Sequence, residues 1–182
     1  MDEALRHFEE AKELYLVEED WQGQAHCIHR IGEIEQHQGR MEKALTCFEE
    51  ARQMYLMVED IQGQLNCLFN ISELYAGDPQ SMFKAIAVVE EAVQLSKAAG
   101  NYYEARSTRW LAELLFLSCK YHLAGQKIIL ARQLFTDCLA TSDVEACDHL
   151  LHKIGEAERL RTTCGCTGCG CSPLSRQCCQ LS

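Results

Sequence analysis

Six of the twelve cysteines fall between residues 164 and 179, and they are the densest chemistry in the chain. Cys164, Cys166, Cys169 and Cys171 make a C-x-C-x-x-C-x-C run, and soft thiolates in such a run suit zinc or copper(I). The C-x-C spacing is tighter than the C-x2–4-C of a mononuclear zinc finger, so a thiolate cluster is the metal reading. The last four residues, Cys179-Gln180-Leu181-Ser182, fit the C-a-a-X prenylation signal, with Ser selecting a farnesyl group. Cys178 beside it could take a palmitate, and two lipids anchor stably where one binds reversibly. Gln180 is not aliphatic, and the usual polybasic stretch is reduced to Arg159, Arg161 and Arg176. A tail with neither chemistry is the third reading, and all three stay open here.

Histidine offers a second constellation. His26/His29 and His149/His152 are both H-x-x-H pairs, each on one face of a helix. A closed zinc site takes four donors, so each pair lacks two. The pairs lie three repeat units apart and are not expected to share an ion. Cys27 and Cys67 occupy equivalent places 40 residues apart, with Ser107 at the third such place, which reads as a small buried position between helices. Cys47, Cys119, Cys138 and Cys147 are read the same way. No Gly-rich phosphate loop, G-x-S-x-G elbow or H-E-x-x-H run occurs. Cys27 and His26 are neighbours on a helix and point to different faces. Neither an enzyme nor a cofactor is expected.

The elements that would carry these residues repeat. MDEALRHFEEAKELYLVEEDWQGQAHCIHRIGE at residue 1 returns 40 residues later as MEKALTCFEEARQMYLMVEDIQGQLNCLFNISE. Fixed-period similarity marks a stacked array, each unit burying its apolar face against its neighbours. Small residues recur at Ala4, Ala44, Ala85 and Ala124, then at Ala11, Ala51, Ala92 and Ala131, with Phe8, Phe48, Val89 and Ile128 between them. Steps of four then three put them on one helical face, where small positions admit a neighbouring helix and the large one fills the gap. A second signature recurs as Ile31-Gly-Glu, Ile71-Ser-Glu, Leu111-Ala-Glu and Ile154-Gly-Glu.

Breaks fall at Asp20-Trp-Gln-Gly23, Gly39, Asp60-Ile-Gln-Gly63, Ala76-Gly-Asp-Pro79, Ala99-Gly-Asn101 and Thr141-Ser-Asp143. In the two Asp-x-x-Gly joints Asp is expected to cap and Gly to relieve the backbone. Eight helices are predicted, over about 1–18, 22–38, 41–58, 62–76, 82–98, 102–118, 121–138 and 143–161, with no strand. Residues 1–161 are read as the helical array and 162–182 as a flexible Cys-rich tail, too rich in Gly for a core or a stable helix.

The pattern resembles the tetratricopeptide repeat family across nearly all of residues 1–161. Its apolar–small pair, Gly turn and Ala–Phe–Ala run are met by Ile31-Gly32, Gly39, Ala44, Phe48 and Ala51. The 40-residue period and the Asp-x-x-Gly joint look like the long-period subclass in Pins-type adaptors, kinesin light chains and fungal signalling NTPases. Ile28, Leu68, Thr108 and Leu151 stand where the family has an aromatic, and Pro79 sits in a one-residue insertion. Met1 aligns with mid-unit, so the array opens on a half-repeat: either a cap, with Asp2, Glu3, Arg6, Glu9, Lys12 and Glu13 as its polar face, or part of a longer array.

The resemblance implies an α-solenoid of stacked antiparallel helix pairs winding as a right-handed superhelix. It also implies a groove lined by the first helix of each unit. The groove residues are then His26, His29, Arg30 and Glu33; Asn66, Phe69, Asn70 and Glu73; Arg106, Arg109 and Glu113; His149, His152, Lys153 and Glu156. Asn and Arg suit the backbone and carboxylates of an extended peptide. Some members hold a C-terminal carboxylate in a Lys/Asn/Asn/Lys/Arg clamp. Asn70 and Arg106 fall on matching points, but Glu33 and Trp110 replace an expected Asn and Arg, so the clamp is incomplete.

A formal charge of −10 opposes nucleic acid, whose binding rests on Lys and Arg at phosphates. No apolar run approaches the ~20 residues of a membrane span. The acidic start is unlike a signal peptide, and Asp2 excludes N-myristoylation. A protein-binding scaffold in the cytoplasm, with membrane association only through the tail, is the expectation; metal binding by the tail, or a place within a larger repeat protein, is the alternative.

Overall fold

The computed structural model describes residues 2–163, and among these it is helical apart from short turns. The order is α1 (Asp2–Val17), α2 (Trp21–His37), α3 (Met41–Met57), α4 (Ile61–Ala76), a short 3-10 turn Pro79–Ser81, α5 (Met82–Ala99), α6 (Asn101–Leu117), α7 (Tyr121–Asp137) and α8 (Thr141–Thr163). All eight predicted helices are present, most with ends within one residue. Thr141–Asp143, read from sequence as a break, is instead the first turn of α8, where such residues are favoured.

One turn design recurs at 20-residue intervals. Glu19, Gly39, Glu59, Cys119 and Leu139 all have φ between 56° and 75°. Each donates its N–H to the carbonyl three residues back, and the next residue donates to the carbonyl five back; Glu59 reaches Leu56 at 3.3 Å and Asp60 reaches Tyr55 at 2.9 Å. This is the Schellman ending, which satisfies the orphan carbonyls of one helix. The residue closing it then begins the next helix. Asp20 and Asp60 each accept 2.9 Å hydrogen bonds from the Gly23 and Gly63 N–H groups. Three-residue turns between packed helices make the pairs antiparallel hairpins.

The joint glycines do a different job from the one expected of them. Gly23 and Gly63 lie inside α2 and α4, and the turn's positive φ falls on Glu19 and Glu59. A Cβ at Gly63 would lie 2.3 Å from Tyr55 Cδ1, and one at Gly23 would lie 2.5 Å from Tyr15 Cδ1. The glycines therefore admit the tyrosine of the preceding helix, while the backbone conformation is imposed on glutamates.

The chain divides into two compact units between Leu95 and Ser96, within α5. In the first, α2 packs on α1 and α3, and α4 packs on α3 and also touches α2. Its core holds Ala25, Ile28, Ala51, Met54, Tyr55 and Cys67, and a second cluster of Ala44, Phe48 and Ile71 is joined by Val88 of α5. In the second, α7 packs between α6 and α8 around Leu111, Leu114, Ile128, Phe135 and Ile154. The small–large–small seams read from sequence are buried in α3, α5 and α7: Ala44, Phe48, Ala51, Ala85, Val89, Ala92, Ala124, Ile128 and Ala131 are all fully buried. On α1 the same face is uncovered, with Ala4 exposed and Phe8 and Ala11 half-buried.

Candidate partner-binding face

In the first unit the predicted groove residues lie on α2 and α4, the two helices that each open a repeat. Ile31-Gly32 and Ile71-Ser72 turn inward: Gly32 is buried, with Phe48 Cε1 2.7 Å from where its Cβ would be, and Ser72 donates at 2.7 Å to the Phe69 carbonyl. That orientation sends His26, Arg30 and Glu33 of α2, and Asn66, Asn70 and Glu73 of α4, towards the opposite side. His26, Arg30 and Glu73 are exposed, whereas Glu33, Asn66, Phe69 and Asn70 are half-buried.

His29 is the exception. Only 7% exposed, it packs its ring against Phe48 with centroids 5.5 Å apart. Burial pushes its imidazole below the ordinary value; Glu33 opposes this, and Arg30 and His26 reinforce it. Asn70 Nδ2 lies 3.1 Å from His29 Nε2. With the Asn70 amide N–H as donor, the ring nitrogen it meets accepts, and His29 Nδ1 on the other side lies 3.9 Å from Glu33 Oε1. The H-x-x-H pair thus separates into an exposed His26 and a structural His29. Asn70 is likewise partly committed: one N–H bridges α4 to α2, leaving the second N–H and Oδ1. Arg30 Nη1 is held 2.6 Å from Glu33 Oε2, which orients the guanidinium and leaves its other donors.

In the second unit the corresponding helices are α6 and α8, which touch. Arg109 Nη1 lies 3.5 Å from Glu113 Oε1, and both are half-buried. Burial raises the Glu113 carboxyl, while Arg109 and Lys153 pull it down. Arg109 Nε is buried with no hydrogen-bond partner. Arg106 is half-buried, and His149, His152, Lys153 and Glu156 are exposed, His152 Nδ1 lying 3.6 Å from Glu156. Trp110 is half-buried. Each unit therefore presents its own polar face.

Four of the described thiols, Cys27, Cys47, Cys67 and Cys147, are held away from the thiolate. Cys27, Cys67 and Cys147 are buried, and Cys47, Cys119 and Cys138 half-buried. Burial pushes Cys67 up to about 12 and Cys147 to about 11, and it raises Cys27 and Cys47. A thiol held so far from its thiolate is a poor nucleophile and a poor metal ligand. Among the described residues no three His, Cys, Asp or Glu side chains are grouped to hold a metal ion, and no helix is long and apolar enough to cross a membrane. Cys164, Cys166, Cys169, Cys171, Cys178 and Cys179 lie outside the described residues. An apolar cleft of about 270 Å³ lined by Trp21, Met57 and Val58 sits at the turn edge, apart from the polar face.

The sequence reading missed the His29–Asn70 bridge. Its signal was present: the repeat equivalent of His29 is Phe69, which marks the position as one that turns partly inward. No curated protein matches the chain. The family model described as tetratricopeptide repeat matches residues 1–57 and 24–81, a little under half of the 182. The matched segments fall on the helix hairpins of the first unit, and together they support a tetratricopeptide repeat family for this chain.

Proposed function

We propose that the chain is a non-enzymatic scaffold that captures a protein segment on the polar face of α2 and α4. The observation that carries this reading is the Asn70–His29 hydrogen bond, which ties the two helices into one wall. The wall has donors at His26, Arg30 and Asn66, of which Arg30 is held by Glu33, a half-buried apolar residue at Phe69, and acids at Glu33 and Glu73. Donors held by the scaffold lose little freedom on binding, which favours affinity. The chemistry suits an extended peptide with exposed backbone carbonyls, a carboxylate for Arg30 and an apolar side chain for Phe69. The α6 and α8 face, with Arg109, Glu113 and Lys153, is a second surface of the same kind. The 40-residue period supports a place among the long-period tetratricopeptide proteins.

The test is a double substitution, Arg30→Glu with Asn66→Asp, neither of which touches the buried seam. Each lost charge-assisted bond is expected to cost about 1.5–3 kcal/mol, a ten- to hundredfold weakening per contact. Quantitative capture from a cell extract should lose its specific partners while helicity and melting stay as in the parent protein. An unchanged set of partners would remove this face.

A further inference from the structure

Among the described residues, α1 and α8 each leave open the face that the other helix pairs bury. Within the first unit, Phe48 of α3 enters a notch at Gly32 of α2: a Cβ on Gly32 would meet Phe48 Cε1 at 2.7 Å and Cδ1 at 2.9 Å. Ala44, four residues before Phe48, and Ala51, three after, are fully buried beside it. The equivalent ridge on α1 is Ala4, Phe8 and Ala11, where Ala4 is exposed and the other two are half-buried. Helix α1 is a ridge without a notch.

Helix α8 is the reverse. Ile154 is buried towards α7, its Cγ2 being 3.9 Å from where a Cβ on Gly125 would lie. The next residue, Gly155, faces about 100° further round the helix, and no atom of the described residues comes within 4 Å of its Cβ position. Gly155 occupies the repeat position of Gly32, yet nothing among the described residues fills it. Four residues before Gly155, Leu151 is half-buried where its counterpart Ile28 is buried.

We propose that α8 of one copy docks on α1 of a second copy, with Phe8 entering the notch at Gly155 as Phe48 enters the notch at Gly32. A second copy is the occupant because the chain carries both halves of this pairing, in the register its own α2 and α3 use. The contact is heterologous: the two surfaces differ, so each docked copy still presents one of them. Ridge-into-notch packing of this kind is the same physics that holds the inner pairs.

Two substitutions separate the surfaces without disturbing the free protein. Ala4→Arg adds a good helix former at an exposed position, and Gly155→Arg places one in open space. The full chain is examined by sedimentation velocity over a wide concentration series, in reducing buffer so that intermolecular disulfides do not contribute. The parent protein is expected to rise above 20.7 kDa with concentration. Each variant alone should stay at the monomer mass, because one of its two surfaces is blocked. An equimolar mixture should form a dimer, since the Ala4→Arg chain keeps α8 and the Gly155→Arg chain keeps α1. A parent protein that stays monomeric would overturn the proposal, as would a variant that still self-associates or a mixture that does not pair.

Discussion

Phe48→Ala is expected to remove about 3–5 kcal/mol of stability, whereas Phe8→Ala at the equivalent repeat position should cost no more than about 1 kcal/mol. Phe48 is fully buried between Ala44 and Ile71, with the His29 ring at 5.5 Å and the Gly32 backbone beneath it. Removing it leaves a cavity that α2 and α3 can close only by moving together, and the lost contacts exceed the transfer energy of the side chain alone. Phe8 is only half-buried. With total stabilities of order 5–15 kcal/mol, the first change should melt the first unit early and the second should barely shift it. Thermal melts of both variants, followed by helicity in dilute protein, make the comparison. Equal losses would mean that the seam is not where the repeat register puts it.

Gly63→Ala and Gly155→Ala are expected to have opposite signs. Alanine gains about 1 kcal/mol over glycine in a helix interior, and at Gly155 nothing opposes that gain, so the variant should be more stable in dilute solution. At Gly63 the new methyl would sit 2.3–2.6 Å from three atoms of the Tyr55 ring, and Tyr55 is 5% exposed within the core cluster. Overpacking of this kind costs about 1–3 kcal/mol or more, enough to reverse the propensity gain. Denaturant midpoints of the two variants give the signs directly. Gly63→Ala matching or exceeding the parent would show that Tyr55 can swing away and that the joint is not packed as described.

The array was legible in the sequence because its signal is redundant. Ala44, Phe48 and Ala51 recur with their counterparts at fixed steps, and a helix seam can be read from such spacing without coordinates. The turns were legible as places but not as mechanisms. Glycine in Asp60-Ile-Gln-Gly63 invites a conformational explanation, yet the left-handed residue is Glu59, and Gly63 is a notch for Tyr55. Of the five residues in the recurring turn, Gly39 alone, with its φ of 75°, is the expected residue type, and stepping 20 residues from it in either direction finds Glu19 and Glu59.

The candidate face was legible by side but not by pairing. Polar residues opposite the seam could be assigned to α2 and α4 by helical period, and the described exposures of His26, Arg30 and Glu73 agree with that side. What period cannot supply is who pairs with whom. His29 and Asn70 are 41 residues apart and both polar, and their mutual hydrogen bond emerges only when α2 and α4 touch. Arg30 and Glu33, three apart on one helix, were within reach of the sequence rule for such pairs.

A photo-crosslinking residue placed at Asn66, on the proposed face, and separately at Glu50, on the exposed side of α3, tests the central claim most directly. The account predicts that the probe at Asn66 traps a discrete set of proteins, that Arg30→Glu suppresses the trapping, and that the probe at Glu50 traps none of them. Trapping of the same proteins from Glu50, or from Asn66 regardless of Arg30, would contradict the assignment of α2 and α4 as the surface that holds the partner.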